Sequence, residues 1–383
     1  MKVEQNIARL KNLMKMYKIS SKELVSEISE GLKKPITIEN IMNNQIELSH
    51  LKRIDKFFNK GLHYYLDPKA PESSKEASIF FRKESFNSEL NIGAKKIVNK
   101  FEEFKISLSA IAKLADIEFT RTFPVYTIKD SPSKVARAVR ELLYPNFEPD
   151  LKAFLKSLIT KLAEYNILVF EFVEYWNQKE KANIDGFFLS PNVIVLKRQQ
   201  SSFRREIFTL IHELAHFLLN EEEIEEVDYF KEDTSSSIEK WCHSFAFHFL
   251  IGNHLMEFES IEFAGPENDY HFDLIEEISK ATHLSQLALF TNLLLVNKIS
   301  RDSYDKIRED FDEKHRIRQE ELRKQKEIER ELGIKRSGSA PKPIQSPLLV
   351  STIQTAFYEG VLSEYEVCQK LNIKPDKLGD FIQ

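Results

Sequence analysis

Apolar positions along the chain change their period twice. From residue 1 to 64 they recur at helical spacing in short runs, IARLKNLMKMYKI, SSKELVSEI, TIENIMN and LSHLKRIDKFF. Ser20 or Ser21 is placed to cap the second run, and Pro35 precedes the third. DPKAPESSK then breaks the pattern, and a long amphipathic helix is expected from about 88 to 118. A capped helix over 132–144 opens the next region. There the period falls to two. ILVFEFVEYW at 167–176 reads as a strand, and IDGFFL at 184–189 and NVIVLKR at 192–198, split by Ser190-Pro191, read as a tight hairpin. Helical spacing returns at about 202–220, 236–250 and 273–296. The pattern predicts an α+β fold, mostly helical, with a small β-sheet packed against helices.

From about 300 to 332 the sequence is helical but densely charged, with no sustained apolar stripe, so a solvated arm is expected rather than a coiled coil. SGSAPKPIQSP at 337–347 reads as a flexible linker. Five units follow: a helix-turn-helix-like unit at 1–64, a helical connector at 65–134, a central domain at 135–310, the charged arm and linker at 311–347, and a small helical unit at 348–383.

Composition narrows the picture. The 383 residues are 42% hydrophobic and 30% charged, enough to bury a real core and to exclude wholesale disorder. A net charge of −5 excludes a globally basic surface for nucleic acid. Residues 1–64, however, carry twelve Lys and Arg against seven Asp and Glu. That unit is expected to face something anionic, either DNA or an acidic protein surface. Its presumed reading segment TIENIMN offers Glu39, Asn40, Asn43 and Asn44 but no Arg or Lys, so only weak or non-specific DNA binding is expected. Two cysteines, Cys242 and Cys368, exclude a disulfide framework and a Cys-rich zinc site. The start of the chain lacks an apolar secretory segment, and LALFTNLLLV at 287–296 is too short to span a bilayer. A soluble cytoplasmic protein is expected. No G-x-G pair occurs, and the spacing of Gly333 and Gly338 lacks the lysine of a phosphate loop because Ser339 follows.

The chemistry concentrates in FTLIHELAHFLLN at 208–220. His212 and His216 lie four apart, so on a helix both imidazoles project from one face and can grip one metal ion. Glu213, about 100° further round, can act as general base on a water without being a ligand. Composition alone would produce H-[DE]-x-x-H about 0.04 times in such a chain. Two core histidines with ordinary hydrogen bonds are the plainer alternative, but an apolar helix carrying three polar groups is costly unless they are satisfied. Zinc would need a third ligand. Acids from 221 to 239 are the candidates; EEEIEEVD reads largely as a solvated loop, whereas Glu239 sits on a predicted helix that can aim it.

These residues carry a resemblance. His212-Glu213-Leu214-Ala215-His216, preceded by Arg204-Arg205 and Phe208-Thr209-Leu210, resembles the ImmA/IrrE zinc metallopeptidases. So do Glu239-x-x-Cys242-His243-x-Phe245-Ala246 and the strand block containing Gly186 and Phe187. The resemblance covers about 135–310. It implies a zincin-type active-site helix, Zn2+ held by His212, His216 and Glu239, and Glu213 as the catalytic base. It also implies a protein substrate, typically a helix-turn-helix repressor or similar regulator, in a stress, mobile-element or antiphage setting. The family usually reads E-x-x-A-N-x-F-A at the second helix; here His243 stands in place of Asn. His243 could orient a ligand or approach the metal itself. His248, His254, His271 and Tyr229 are further candidates for holding the oxyanion. The rival reading is a DNA-binding regulator or antitoxin-like protein that uses the peptidase fold as a sensor. A metal-dependent nuclease fits poorly, since eight acids against one lysine at 221–233 would repel phosphates. Nothing in the sequence fixes the oligomeric state or the individual substrate.

Overall fold

The computed structural model describes residues 1–58, 60–71, 90–174, 181–198, 203–223, 236–332 and 342–381. It is α+β and mostly helical, as the pattern predicts. At the start of the chain β1 (Lys2–Glu4) pairs antiparallel with β2 (Gln45–Glu47). Between them lie α1 (Ile7–Met16), α2 (Ser21–Ile28) and the single-turn α3 (Ile38–Ile41). α4 (Leu48–Phe58) and α5 (Leu62–Leu66) follow. Ser20 is the cap of α2, in a reciprocal box with Glu23. The presumed reading helix stops after one turn for a visible reason. The Gln5 side chain donates to the carbonyls of Ile41 and Asn43, and the Gln5 N–H donates to Asn44 O. Those acceptors are drawn to the strand pair instead of the next helical turn. Strands of three residues are too short to show a period of two, so the sequence pattern misses them.

α6 (Ile92–Leu114), α7 (Pro132–Leu143) and α8 (Leu151–Glu164) lead to the sheet. Its strands β3 (Leu168–Val173), β4 (Gly186–Leu189) and β5 (Val193–Arg198) are ordered β3-β5-β4. β3 and β5 run parallel, with Leu168 opposite Val193; β4 and β5 form the expected hairpin, with Gly186 opposite Leu196. Next come α9 (Phe203–Leu219), α10 (Ser237–Ile251), α11 (Leu255–Glu259), α12 (Phe272–Thr282) and α13 (Gln286–Leu295). α14 (Arg301–Glu331), α15 (Pro347–Tyr358) and α16 (Glu364–Leu371) follow, and a 3-10 turn at Pro375–Asp380 completes the described chain.

Both faces of the sheet are covered, and alternation assigns each residue to a side. Phe170, Phe172, Phe187 and Val195 point into a core shared with the N-terminal helices, α6 and the C-terminal helices. Phe101 of α6 lies 5.7 Å from the Phe170 ring and 6.4 Å from the Phe187 ring. Val169, Phe188, Ile194 and Leu196 point the other way, into the core formed by α7 to α13. The arm α14 buries only Tyr304 and Ile307 near its start. Beyond them Arg316 pairs with Glu313 and Arg323 with Glu327, the local support a solvated helix uses. The linker expected at 337–347 lies partly outside the described residues. Its described end is tied down: Ile344 N–H donates to the buried Glu171 carboxylate, and Gln345 to Leu371 O.

Half-buried arginines terminate the two helices that matter most for the site. Arg121 donates to the Phe217 and Leu218 carbonyls at the end of α9 and covers the Phe217 ring. Arg140 donates to the Phe249 and Leu250 carbonyls at the end of α10 and stacks on Tyr144. Charge and dipole agree at both ends. Arg140→Ala should therefore lower stability by about 1–3 kcal/mol in urea unfolding, since it strips buried carbonyls of their donor. A change below about 0.5 kcal/mol, the range of an ordinary surface substitution, would show that the cap is not needed.

Candidate metal centre

α9 is buried along nearly its whole length because it lies on β4 and β5 on one side and against α10 on the other. Its apolar residues account for that burial; His212 and His216, 3% and 1% exposed, do not. Their rings face each other one turn apart, with the Nε2 atoms 3.2 Å apart. α10 brings the third group. Ser236 caps it, accepting from the Glu239 N–H and donating to Glu223. That cap places Glu239 in the first turn, fully buried and aimed at α9. Its Oε2 lies 2.9 Å from His212 Nε2 and its Oε1 3.1 Å from His216 Nε2. Ligands about 2.0–2.1 Å from a tetrahedral ion stand roughly 3.3–3.4 Å from one another. The donors of these three residues, two imidazole nitrogens and the two oxygens of one carboxylate, approach one another at 2.9–3.2 Å and so fit the shell of one divalent ion.

Metal-free, the three groups share charge. The two imidazoles hold the Glu239 carboxylate far below its usual range, against the opposing effect of burial. Burial leaves His212 below its ordinary value despite Glu239. Burial also pushes the His216 imidazole down, but Cys242 and Glu239 raise it, and the balance leaves it well above its ordinary value. Burial lifts the Cys242 thiol to about 11, so at neutral pH it is a thiol and the negative charge facing His216 is that of Glu239. The picture is one proton on His216 paired with an ionised Glu239.

Glu213 is 6% exposed and lies on the sheet side of α9. Gly186 of β4 makes room for it. A Cβ there would stand 2.6 Å from Thr209 Cγ2, 3.1 Å from Val195 O and 3.2 Å from Glu213 Cγ. The glycine thus lets the helix approach the strand closely. His243 lies one turn beyond Glu239 on α10 and is half-buried. Its ring is 4.7 Å from that of His212 and 5.7 Å from that of Phe208. Burial, with His212 beside it, pushes its imidazole down to about 3. One ring nitrogen lies within 4.8 Å of donor atoms of His212 and Glu239.

Two of the remaining candidates are engaged elsewhere. His248 Nδ1 lies 2.7 Å from Ser244 O on its own helix, and His254 pairs with Glu257. His271 occupies a left-handed bend before α12. Tyr229 lies outside the described residues. Of the acids expected to form a solvated loop, Glu222 is buried instead, accepting from the Ser190 N–H at the β4–β5 turn. Residues 224–228 lie outside the described residues. Cys242 has no role at the site in the sequence reading, yet it lies against His216. Its position, three after Glu239, was the available signal, because that spacing puts both on one helix face.

Two histidines on one buried helix, a carboxylate from a second and an acid beside them are the donor types that one hydrolytic metal ion would require. Residues 164–263 match the family model of the IrrE N-terminal-like domain, Peptidase_M78, and this segment belongs to that peptidase family. The match includes the three-stranded sheet, His212, Glu213, His216 and Glu239. No curated protein and no solved structure matches the chain.

Two outcomes follow from this geometry. His212→Ala, His216→Ala and Glu239→Ala should each lose most bound divalent metal in elemental analysis, while Glu213→Gln keeps about one ion per chain. Equal metal content in Glu239→Ala and wild type would remove Glu239 from the ligand set. The second outcome concerns pH. A raised His216 stabilises the metal-free form at low pH, and that contribution is lost as pH rises through the raised value. Metal must displace this proton, so affinity should climb about tenfold per pH unit below that point. Chelator competition at several pH values measures the slope; a flat profile would exclude the shared proton.

Proposed function

We propose that the chain is a zinc-dependent endopeptidase of the reducing cytoplasm. The observation that carries this reading is the convergence of His212, His216 and Glu239, with Glu213 next to them beneath Gly186. Bound there, zinc would supply Lewis acidity and an activated water at neutral pH. Glu213 would take the proton of the attacking water and pass it to the leaving amine. β4 is an edge strand of the described sheet, next to α9. An extended peptide could pair along it, its main chain held by strand addition. No described helix is long and apolar enough to cross a membrane.

As substrate we favour a protein regulator, such as a helix-turn-helix repressor, cleaved in a stress, mobile-element or antiphage response. The resemblance to ImmA/IrrE peptidases supports this. The basic N-terminal unit is read as a docking surface for that partner, with weak DNA binding at most. α3 is a single turn, and Glu39 and Asn40 are what it exposes besides Ile38. Leu10, Leu13, Leu51 and Phe58 of this unit share a core with the sheet, so surface charge reversal probes its role better than deletion.

Affinity capture tests the function. Glu213→Gln should hold metal and retain an uncleaved partner that wild type releases as fragments. Capture of intact partner by both proteins, with no fragments from wild type, would favour the DNA-binding regulator or sensor reading instead.

A further inference from the structure

The three donors already described do not exhaust the nitrogen and oxygen atoms at this centre. His243 is on the same face of α10 as Glu239, one turn along. With His212 and Glu239 it forms a second group able to hold a metal, its donor atoms within 4.8 Å of one another. The imidazole lies edge-on to His212 and next to Phe208. His212, His216 and Glu239 are buried, whereas His243 is half-buried, the most exposed of the four. Donors sharing a tetrahedral ion stand roughly 3.3–3.4 Å apart, so the ring needs to shift by about 1–2 Å to join them. A change of side-chain torsion within a rotamer well covers that distance.

Metal sites divide on this point. Four protein ligands make a closed, structural site; three leave a position for the reacting water. We propose that His243 is a fourth protein ligand of the resting metal. It closes the centre with His212, His216 and Glu239, and an entering substrate must displace it. The inference rests on the metallopeptidase reading and deepens it: the resting enzyme is self-inhibited, and opening requires the partner's binding energy. The role belongs to this chain's histidine, since an asparagine at this position offers no imidazole to the metal.

X-ray absorption of the zinc-loaded wild-type protein decides the coordination directly. Three imidazoles and one carboxylate are expected; two imidazoles would overturn the proposal, leaving the three-ligand peptidase centre intact. A protein that takes up no zinc would overturn both readings. Cobalt-loaded variants give an independent measure, with acetohydroxamate as the probe read by visible absorption. If a closed state dominates about ten to one, His243→Asn should bind acetohydroxamate about tenfold more tightly than wild type, because the self-ligand no longer competes. His243→Asn keeps a polar side chain of moderate size, and its metal content is checked in the same sample. Unchanged or weaker acetohydroxamate binding with metal retained would show that His243 only orients His212, and would overturn the proposal. The wild-type absorption result stands even if His243→Asn does not fold.

Discussion

Two imidazoles and a carboxylate held in contact inside an apolar layer are the constraint on which the rest of the structure depends. None of them is stable there alone, since each buried polar group lacking a partner costs on the order of 1–3 kcal/mol. Together they offset one another's burial, and their spacing is that of donors to one divalent ion. The arrangement requires two helices to be fixed to within a fraction of an ångström. Arg121 and Arg140 hold the far ends of α9 and α10, and Ser236 holds the near end of α10. Gly186 sets how closely α9 can approach the sheet. Each device acts on a backbone, and each is needed because a side-chain centre is only as exact as the helices that carry it.

The sheet divides the interior into a core that carries the candidate site and a core shared with the N-terminal unit. Only three strands are present, yet both faces are buried, so period-two alternation sends neighbouring residues into different cores. Phe187 and Phe188 show this most plainly: one packs with α6 and the terminal helices, the other with α9. A change in how the N-terminal unit packs is therefore one residue's thickness from the strand beneath Glu213.

Much of this was legible in the sequence. The helix carrying His212 and His216, the hairpin and the helix of Glu239 all follow from local periodicity, which a single element displays by itself. His212, Glu213 and His216 were readable because one helix fixes their relation. Glu239 was harder: its distance from the pair depends on the crossing of two helices, which no local pattern encodes. The single-turn α3 and the β1–β2 pair were not legible, since they depend on Gln5 reaching carbonyls some forty residues away. Glu222 was misread for the same reason. Its partner, the Ser190 N–H, comes from the hairpin and turns a nominal loop acid into a buried acceptor.

The C-terminal segment shows the same dependence on distant partners and links it to the centre. Arg198 ends β5 and meets two carboxylates, Glu171 on β3 and Glu206 in the first turn of α9. All three are buried, so removing one partner would strand a charge in the interior. Glu171 also accepts from the Ile344 N–H, which lies 173 residues away in sequence. Burial raises the Glu171 carboxyl above its ordinary range, and the Ile344 N–H and Arg198 offset part of that rise. The C-terminal segment thus favours the charged form of the group that holds Arg198, and Arg198 in turn holds the start of the helix of His212 and His216. The charged arm α14 carries the chain out into solvent before it returns to this point. A chain that leaves its domain and comes back to complete a buried ion network ties the integrity of that helix to the far end of its sequence.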